Sequence, residues 1–411
     1  MNAVGALPEE PLAVSFVPGI GRIDSAEWDA CAGTADPFVT HAVLAAFEEG
    51  GVVRPETGWQ PLHATVRDAA GRLVGAAPVY AKGNAAGDFW PERPWADAFA
   101  TVGGRYYPKL LVGVPFTPVA GPRLLLRPGA PPHTARTLVA GLETLARENR
   151  LSSIHAAFLE EVDRRRLSEA GWLPRQGVQY RWDNPGYRSF DDFLAALTPK
   201  RRGNVLRERR AVAASGVRVR ILPGDRIRPA DWDGFMRLYE ATHRRRATPP
   251  PLTPGFFRRL GEAIPGRLLM IVVEEDGVAA GAAVRVLGDG ILHMRHWGGD
   301  GAHRFLHFEV SLYRTIEYAI EQGYAAIDGG HGGPHKGQRG FRPALVHGMH
   351  WFADPRLRDG VARFLEVERA NVRQHREALA ARSPYRARPM TGAGQGGAGQ
   401  GGPDAGLGPP S

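Results

Sequence analysis

A seven-residue pattern occurs twice in this chain, and it constrains the fold more than any other feature. Gly71-Arg-Leu-Val-Gly75-Ala-Ala returns 206 residues later as Gly277-Val-Ala-Ala-Gly281-Ala-Ala. Each copy follows an apolar run (Leu62 to Val66; Leu268 to Val273) and a turn carrying Asp68 or Asp276. Each then leads into another apolar run, which is the pattern of a β-hairpin. Two further pairs follow in the same order. The helix-like stretch Ala135 to Arg147 leads into the strand-like Leu151 to Phe158, and Val310 to Ile320 leads into Tyr324 to Ile327. Gly171-Trp-Leu-Pro174 has Trp182 eleven residues after its glycine, and Gly340-Phe-Arg-Pro343 has Trp351 at the same distance. Three matches in one order predict two homologous halves, about 12–183 and 184–385. Each half reads hairpin, further strand, helix, strand, final strand, which is an α+β or mixed α/β layer.

Between the halves the pattern turns helical. Phe190 to Leu197 is amphipathic and stops before Thr198-Pro199. Pro199 suits the first turn of a second, basic helix over Lys200 to Arg210, which ends near Gly216. The alternating run Val217 to Leu222 then predicts a strand. The segment 386–411 is expected to be disordered. Its last 21 residues hold nine glycines and one sizeable apolar side chain, Leu407, too little to offset chain entropy.

Composition narrows the class. A chain of 411 residues, 43% apolar and 23% charged, has enough apolar surface for a large core in two or three domains. Cys31 is the single cysteine, so neither an intrachain disulfide nor a cysteine-based metal site is open to it. Met1 to Glu10 lacks a positive n-region, and no uncharged apolar run approaches the ~18 residues of a membrane span. The expected location is cytoplasmic, without membrane insertion. The net charge is +9, yet only Lys82, Lys109, Lys200 and Lys336 among the 52 basic residues are lysine. A compact ammonium at those places is then a candidate for work that a guanidinium fork cannot do.

Several segments carry residues suited to chemistry. They are Pro37 to Gly50, Trp95-Ala-Asp97-Ala, Tyr106-Tyr107-Pro-Lys109-Leu, Pro115-Phe-Thr-Pro-Val-Ala-Gly-Pro-Arg123-Leu, Arg295-His-Trp-Gly298, Leu306-His307-Phe-Glu309, Gly333-Pro-His335-Lys336 and His350-Trp351-Phe-Ala-Asp354-Pro-Arg356. Spread over 37–356, they resemble the Fem-like predicted N-acyltransferases described as peptidoglycan biosynthesis or recognition proteins. The resemblance implies two tandem GNAT-like domains. It also implies transfer of an acyl or aminoacyl group to an amine, with a cell-wall precursor or another small molecule as acceptor. The donor would be an acyl-CoA such as acetyl-CoA, or an aminoacyl-tRNA. The chain departs from the family at Gly83-Asn84-Ala85, where a Ser-His-Ser-rich stretch is usual, and at Pro334, where a glutamate is usual.

The residues themselves suggest roles. Gly298 and Gly299 precede the central helix of the second half, where backbone N–H groups can cradle a pyrophosphate. Lys200, Arg201 and Arg202 suit phosphate, and Arg295 suits an anionic group. His335 can take a proton near pH 7 while Lys336 holds an anion. Glu309 is either a general base or a complement to the helix N-terminus. Tyr106, Tyr107 and Lys109, ahead of Pro115 to Pro118, are expected to line an acceptor cleft between the halves, with His41 and Asp97 in the matching segments. The pairs His303/His307, His331/His335 and His347/His350 lack a His-Glu-x-x-His order, so no metal is expected. Two other readings remain open: a non-catalytic ligand-binding protein of degenerate transferase fold, and an RNA-binding protein.

Overall fold

The computed structural model describes residues 11–386; the 387–411 part of the tail expected to be disordered lies outside them. The first half contributes nine strands. They are β1 (Ala13–Val17), β2 (Trp59–Pro61), β3 (His63–Arg67), β4 (Leu73–Ala77), β5 (Val79–Lys82), β6 (Lys109–Val112), β7 (Leu125–Leu126), β8 (Ser153–Ala157) and β9 (Leu173–Asp183). The second contributes β10 (Arg218–Pro223), β11 (Leu268–Glu275), β12 (Val278–Leu287), β13 (Ile291–Gly299), β14 (Ala326–Asp328) and β15 (Arg342–Phe352). Both expected hairpins form, β3–β4 and β11–β12, with Gly71 at φ 79° and Gly277 at φ 80° in their turns. That left-handed backbone is open to glycine without a Cβ penalty.

Eleven strands make one sheet in the order β10-β11-β12-β13-β14-β9-β15-β8-β6-β5-β2. The last strand of each half therefore completes the sheet of the other. β9 pairs with β14, β15 pairs with β8, and β9 and β15 run antiparallel between them. Gly177 faces Val346, 169 positions on, which is also the offset from Gly171 to Gly340. Every other pair in this ladder is thus related by a two-fold axis through that central pair. The axis places Trp182 opposite Ile327 and Trp351 opposite Ile154.

The copies differ where proline intervenes. β12 runs unbroken, but its counterpart is split by Pro78, which has no N–H for the ladder. β4 consequently pairs with β3 and β7 in a separate four-stranded sheet, while β5 joins the large one. Helices Thr134–Glu148 and Arg314–Glu321 each lead into a strand, β8 or β14, as the repeat predicts. Helices Phe190–Ala196 and Pro199–Ala213 form in the linker, with Pro199 at the start of the second. Helices His41–Glu49 and Pro254–Ala263 pack across the halves, with Phe47 and Phe256 rings 4.4 Å apart. No helix among the described residues is long and apolar enough to cross a membrane.

Two outcomes test this architecture. A fragment ending at residue 183 exposes both β9 and the β8 edge that β15 covers, so it should show no cooperative thermal transition. Unpaired apolar edges of that kind favour aggregation instead. Gly298→Ala in β13 brings a Cβ to 2.4 Å from Tyr239 N and 2.6 Å from Leu238 C, both backbone atoms of helix Pro229–Arg245. Urea titration should register a loss of about 1–3 kcal/mol from such overpacking.

Candidate active site

β13 and β14 pair over three residues only, Ile291 to His293 with Ala326 to Asp328, and then part. β13 also carries an extra residue, Arg295, since Val284 pairs with His296 and Arg285 with Met294. A bulge of this kind bends the strand and re-aims its side chains. A cavity of about 570 Å³ opens at the parting. Its walls are β13, the end of helix Pro229–Arg245, the helical run 306–321 and the glycine-rich loop 329–333. Phe89, Phe116 and Pro118 of the first half close the remaining side.

Charge in the cavity is one-sided. Arg246, Arg285, Arg295 and Lys336 line it, and no Asp or Glu does. Arg285 is buried without an acidic partner. It donates to Thr315 Oγ1 at 3.0 Å and to the carbonyls of Val284 and Val310. Burial alone pushes its pKa down to about 9. Arg295 donates to Phe116 O at 2.9 Å, which ties the halves together, and burial lowers its pKa to about 10. Lys336 Nζ donates to the carbonyls of Gly329, His331 and Gly332 at 2.6, 3.3 and 2.9 Å. It therefore holds the loop closed from inside. Burial lowers its pKa to about 8 against the opposing pull of Asp328. Asp328, outside the lining, offsets part of the burial of Lys336 and Arg295, while Arg285 has no acidic partner; burying a cation unpaired is costly, and a cavity lined this way suits an anionic ligand.

The helical run changes pitch beside the cavity. Residues Glu309–Tyr313 form a π-helical turn between the helical segments Leu306–Phe308 and Arg314–Glu321. Such turns free a backbone group and cluster at functional sites. The Val310 carbonyl here accepts from Arg285 Nη2 and Thr315 Oγ1. Ser311 lines the cavity, and its buried Oγ has no hydrogen-bond partner. His335 Nε2 is likewise buried and unpartnered in the cavity wall. The His335 ring packs against His307 at 5.6 Å and Phe308 at 5.3 Å. Burial, helped by Lys336 and Arg339, holds His335 below its usual pKa. Burial and His335 push His307 down to about 3. Both imidazoles are neutral at pH 7, so His335 is able to accept a proton.

The remaining expected residues sit elsewhere. Gly298 and Gly299 are ladder residues of β13, paired with Ala282 and Gly281, and the Gly299 N–H donates to Thr242 Oγ1 at 3.0 Å. They pack strand against helix and do not line the cavity. Glu309 points to a separate groove beside helix Pro199–Ala213. Arg209 stands at 3.3 Å and Arg314 at 2.8 Å, and burial raises its pKa. Lys200, Arg201 and Arg202 begin that helix outside the cavity. Arg201 donates to Gln338 at 3.2 Å, close to the turn that carries His335. Lys109 is fully buried between Asp88 (2.8 Å) and Glu92. Tyr106 is buried with its hydroxyl 3.1 Å from His155 Nε2, and its ring packs on Tyr107. His41 Nε2 contacts the carbonyls of Ile20 and Ile23 at 2.9 and 3.0 Å, fixing a loop. Asp97 lies exposed on helix Arg93–Thr101 opposite Arg93. Among the described residues, no group of three or more His, Cys, Asp or Glu is arranged to hold a metal ion.

Sequence reasoning passed over Arg285, Ser311 and Phe89. Arg285 interrupts an otherwise apolar strand, Ala282-Ala-Val-Arg285-Val, and that interruption is the signal that marks it. Nothing local marks Ser311 or Phe89. Phe116 and Pro118, in the segment that follows the expected Tyr106, Tyr107 and Lys109, line the cavity.

Solved structures resemble the chain in fold. The chain is similar to FemX at 12% identity, over 83% of this chain and 98% of that one, with a TM-score of 0.51. It is similar to the C-terminal domain of a putative lysylphosphatidylglycerol synthetase from Agrobacterium fabrum at 11% identity, over 85% and 97%, with a TM-score of 0.49. A tandem GNAT protein from the clavulanic acid biosynthesis pathway matches at 14% identity, over 84% and 99%, with a TM-score of 0.44. No curated protein matches the chain. Identities this low speak for fold alone, and of these three FemX carries it, a mixed α/β fold. The model of one family matches residues 19–387, nearly the whole described chain, and the protein therefore belongs to the FemAB-like family of peptidoglycan biosynthesis/recognition proteins.

Proposed function

We propose that the chain is an N-acyltransferase that moves an acyl or aminoacyl group onto an amine in the cavity between β13 and β14. One observation carries this reading. His335 and Ser311, each with a buried polar atom that lacks a partner (Nε2 and Oγ), belong to the wall of a cavity lined by four cations and no carboxylate. The acceptor amine attacks the activated carbonyl directly. His335 Nε2 takes the amine proton, and Ser311 Oγ–H donates to the oxyanion that develops on the carbonyl oxygen. Collapse of the tetrahedral intermediate breaks the bond from the carbonyl carbon to the thioester sulfur or ester oxygen, and the proton held on His335 passes to the leaving CoA thiol or tRNA 3′-hydroxyl. The arginines hold the phosphates of donor or acceptor, as guanidinium forks suit phosphate geometry. Lys336 acts through the loop it closes. Cys31 is buried in the first half, outside the cavity, which favours direct attack over a cysteine-linked intermediate. Family membership supports a nucleotide-linked peptidoglycan precursor as acceptor.

Calorimetry with CoA, acetyl-CoA and such a precursor, followed by transfer assays with acetyl-CoA or aminoacyl-tRNA as donor, tests the reading. Precursor binding without turnover by any donor would assign recognition instead of catalysis. His335→Gln should leave ligand affinity within about twofold and lower kcat by roughly 10²–10⁴-fold, the usual worth of a positioned base. In wild type, kcat should rise with pH through an ionisation below 6.5, as His335 loses its proton. It should fall again near 8, as Lys336 loses the charge that closes the loop. The acid limb should vanish in His335→Gln; its persistence would remove His335 from the base role.

A further inference from the structure

Glu208 is the only acidic residue of the basic linker helix Pro199–Ala213, and it is buried, 4% exposed. Its carboxylate meets two elements at once. Arg339 forks onto it, with Nη2 2.6 Å from Oε1 and Nε 2.9 Å from Oε2. The Tyr313 hydroxyl donates to the same Oε2 and accepts from Arg339 Nε at 2.9 Å. Forked pairs of this kind fix geometry as well as adding energy.

Each partner belongs to an element that carries a cavity residue. Arg339 ends the turn Pro334–Arg339, and its Nη1 donates to the His335 carbonyl at 3.1 Å. Its guanidinium lies 3.6 Å over the Phe308 ring, against which the His335 ring packs at 5.3 Å. Tyr313 closes the π-helical turn Glu309–Tyr313, two residues after Ser311. Glu208, Arg339 and Tyr313 are all absent from the cavity wall. His335 Nε2 and Ser311 Oγ have no hydrogen bonds to place them, so their placement falls to the elements they ride on. Groups that must meet a ligand in one geometry depend on such support.

We propose that Glu208 is a positioning residue, which through Arg339 and Tyr313 sets His335 and Ser311 at one spacing. The helix between the halves thus governs the site without lining it. The inference rests on the transferase reading above and adds what holds its base and its oxyanion donor together. Arg209 also reaches Glu317 at 3.2 Å and Arg201 reaches Gln338 at 3.2 Å, so the helix stays docked when Glu208 is changed.

The test uses the full chain as wild type, Glu208→Gln and the double variant Glu208→Gln/Arg339→Gln. Losing one charge of a buried pair is destabilising, whereas losing both leaves no orphaned charge. The urea midpoint of the double variant should therefore lie closer to wild type than that of Glu208→Gln. Diethyl pyrocarbonate modification, read by peptide mass spectrometry, compares His335 with the exposed His375 in the same sample. Both variants should raise the relative His335 rate by roughly tenfold or more, as a local closure is lost. In the transfer assays above, the double variant should lose kcat by roughly 10²–10⁴-fold with KM within about twofold, as loss of the positioned base requires. A His335 rate that stays at wild type in the double variant, or returns there with the urea midpoint, overturns the positioning role. Transfer at the wild-type kcat by the double variant overturns it too. A raised His335 rate in the variants, together with no transfer by wild type from acetyl-CoA or aminoacyl-tRNA, upholds the positioning role and overturns the base reading instead.

Discussion

The antiparallel ladder between β9 and β15 is the interaction on which the rest depends. Each of these strands ends one half of the chain in sequence and completes the sheet of the other half in space. A sheet joined in this way leaves neither half a finished core of its own. It also fixes how the halves face each other, because a one-residue slip would carry every side chain of these strands to the opposite face. A slip by one residue would turn Trp182 and Trp351, which sit at equivalent places beside the dyad, to the wrong face of the sheet. The cavity follows from this constraint. It lies where β13 and β14 part, and the rigid join brings Phe89, Phe116 and Pro118 of the other half against it.

The duplication has been used unevenly. In the second half, the parted strands leave open space lined by cations. At the matching place in the first half, β6 and β8, the chain has filled the interior with its own charges, Lys109 against Asp88 and Glu92 with Lys82 nearby over the Trp59 ring. Buried pairs of this sort cost desolvation that the attraction must offset, and they are weak evidence of stability by themselves. Here the pairing does something further, for it fixes the loop that carries Phe89. One half has become a scaffold that shapes the site of the other.

Three of the four lysines in this arginine-rich chain are buried, and each meets a need for a compact donor. Lys336 reaches three carbonyls of one tight loop, Lys109 sits between two carboxylates, and Lys82 lies flat on an indole. A planar guanidinium would not fit three converging carbonyls in so small a space. The exception, Lys200, is exposed at the start of a surface helix. The rarity of lysine was thus a legible sign of position, though not of role. His335 and Arg295 were also legible, through motif and charge. Gly298 and Gly299 were misleading, because glycines chosen for close strand–helix packing look the same in sequence as glycines that cradle a phosphate. Glu309 and Lys109 carry charges suited to chemistry, yet their partners, distant along the chain, are what direct them away from the cavity.

By itself the sequence determined the repeat, the hairpins, the linker helices and the family. These rest on local periodicity, turn chemistry and motifs that short stretches of chain contain whole. Only the tertiary structure decided that the halves exchange their last strands and that one cavity draws on both. It also decided that Ser311 and Phe89 line that cavity while Tyr106 and Lys109 turn inward. The reason is physical. Strand pairing across roughly 170 residues is set by the complementarity of two whole faces, and the direction of a side chain by a π-turn or a bulge, neither of which has a fixed signature in the residues that carry it.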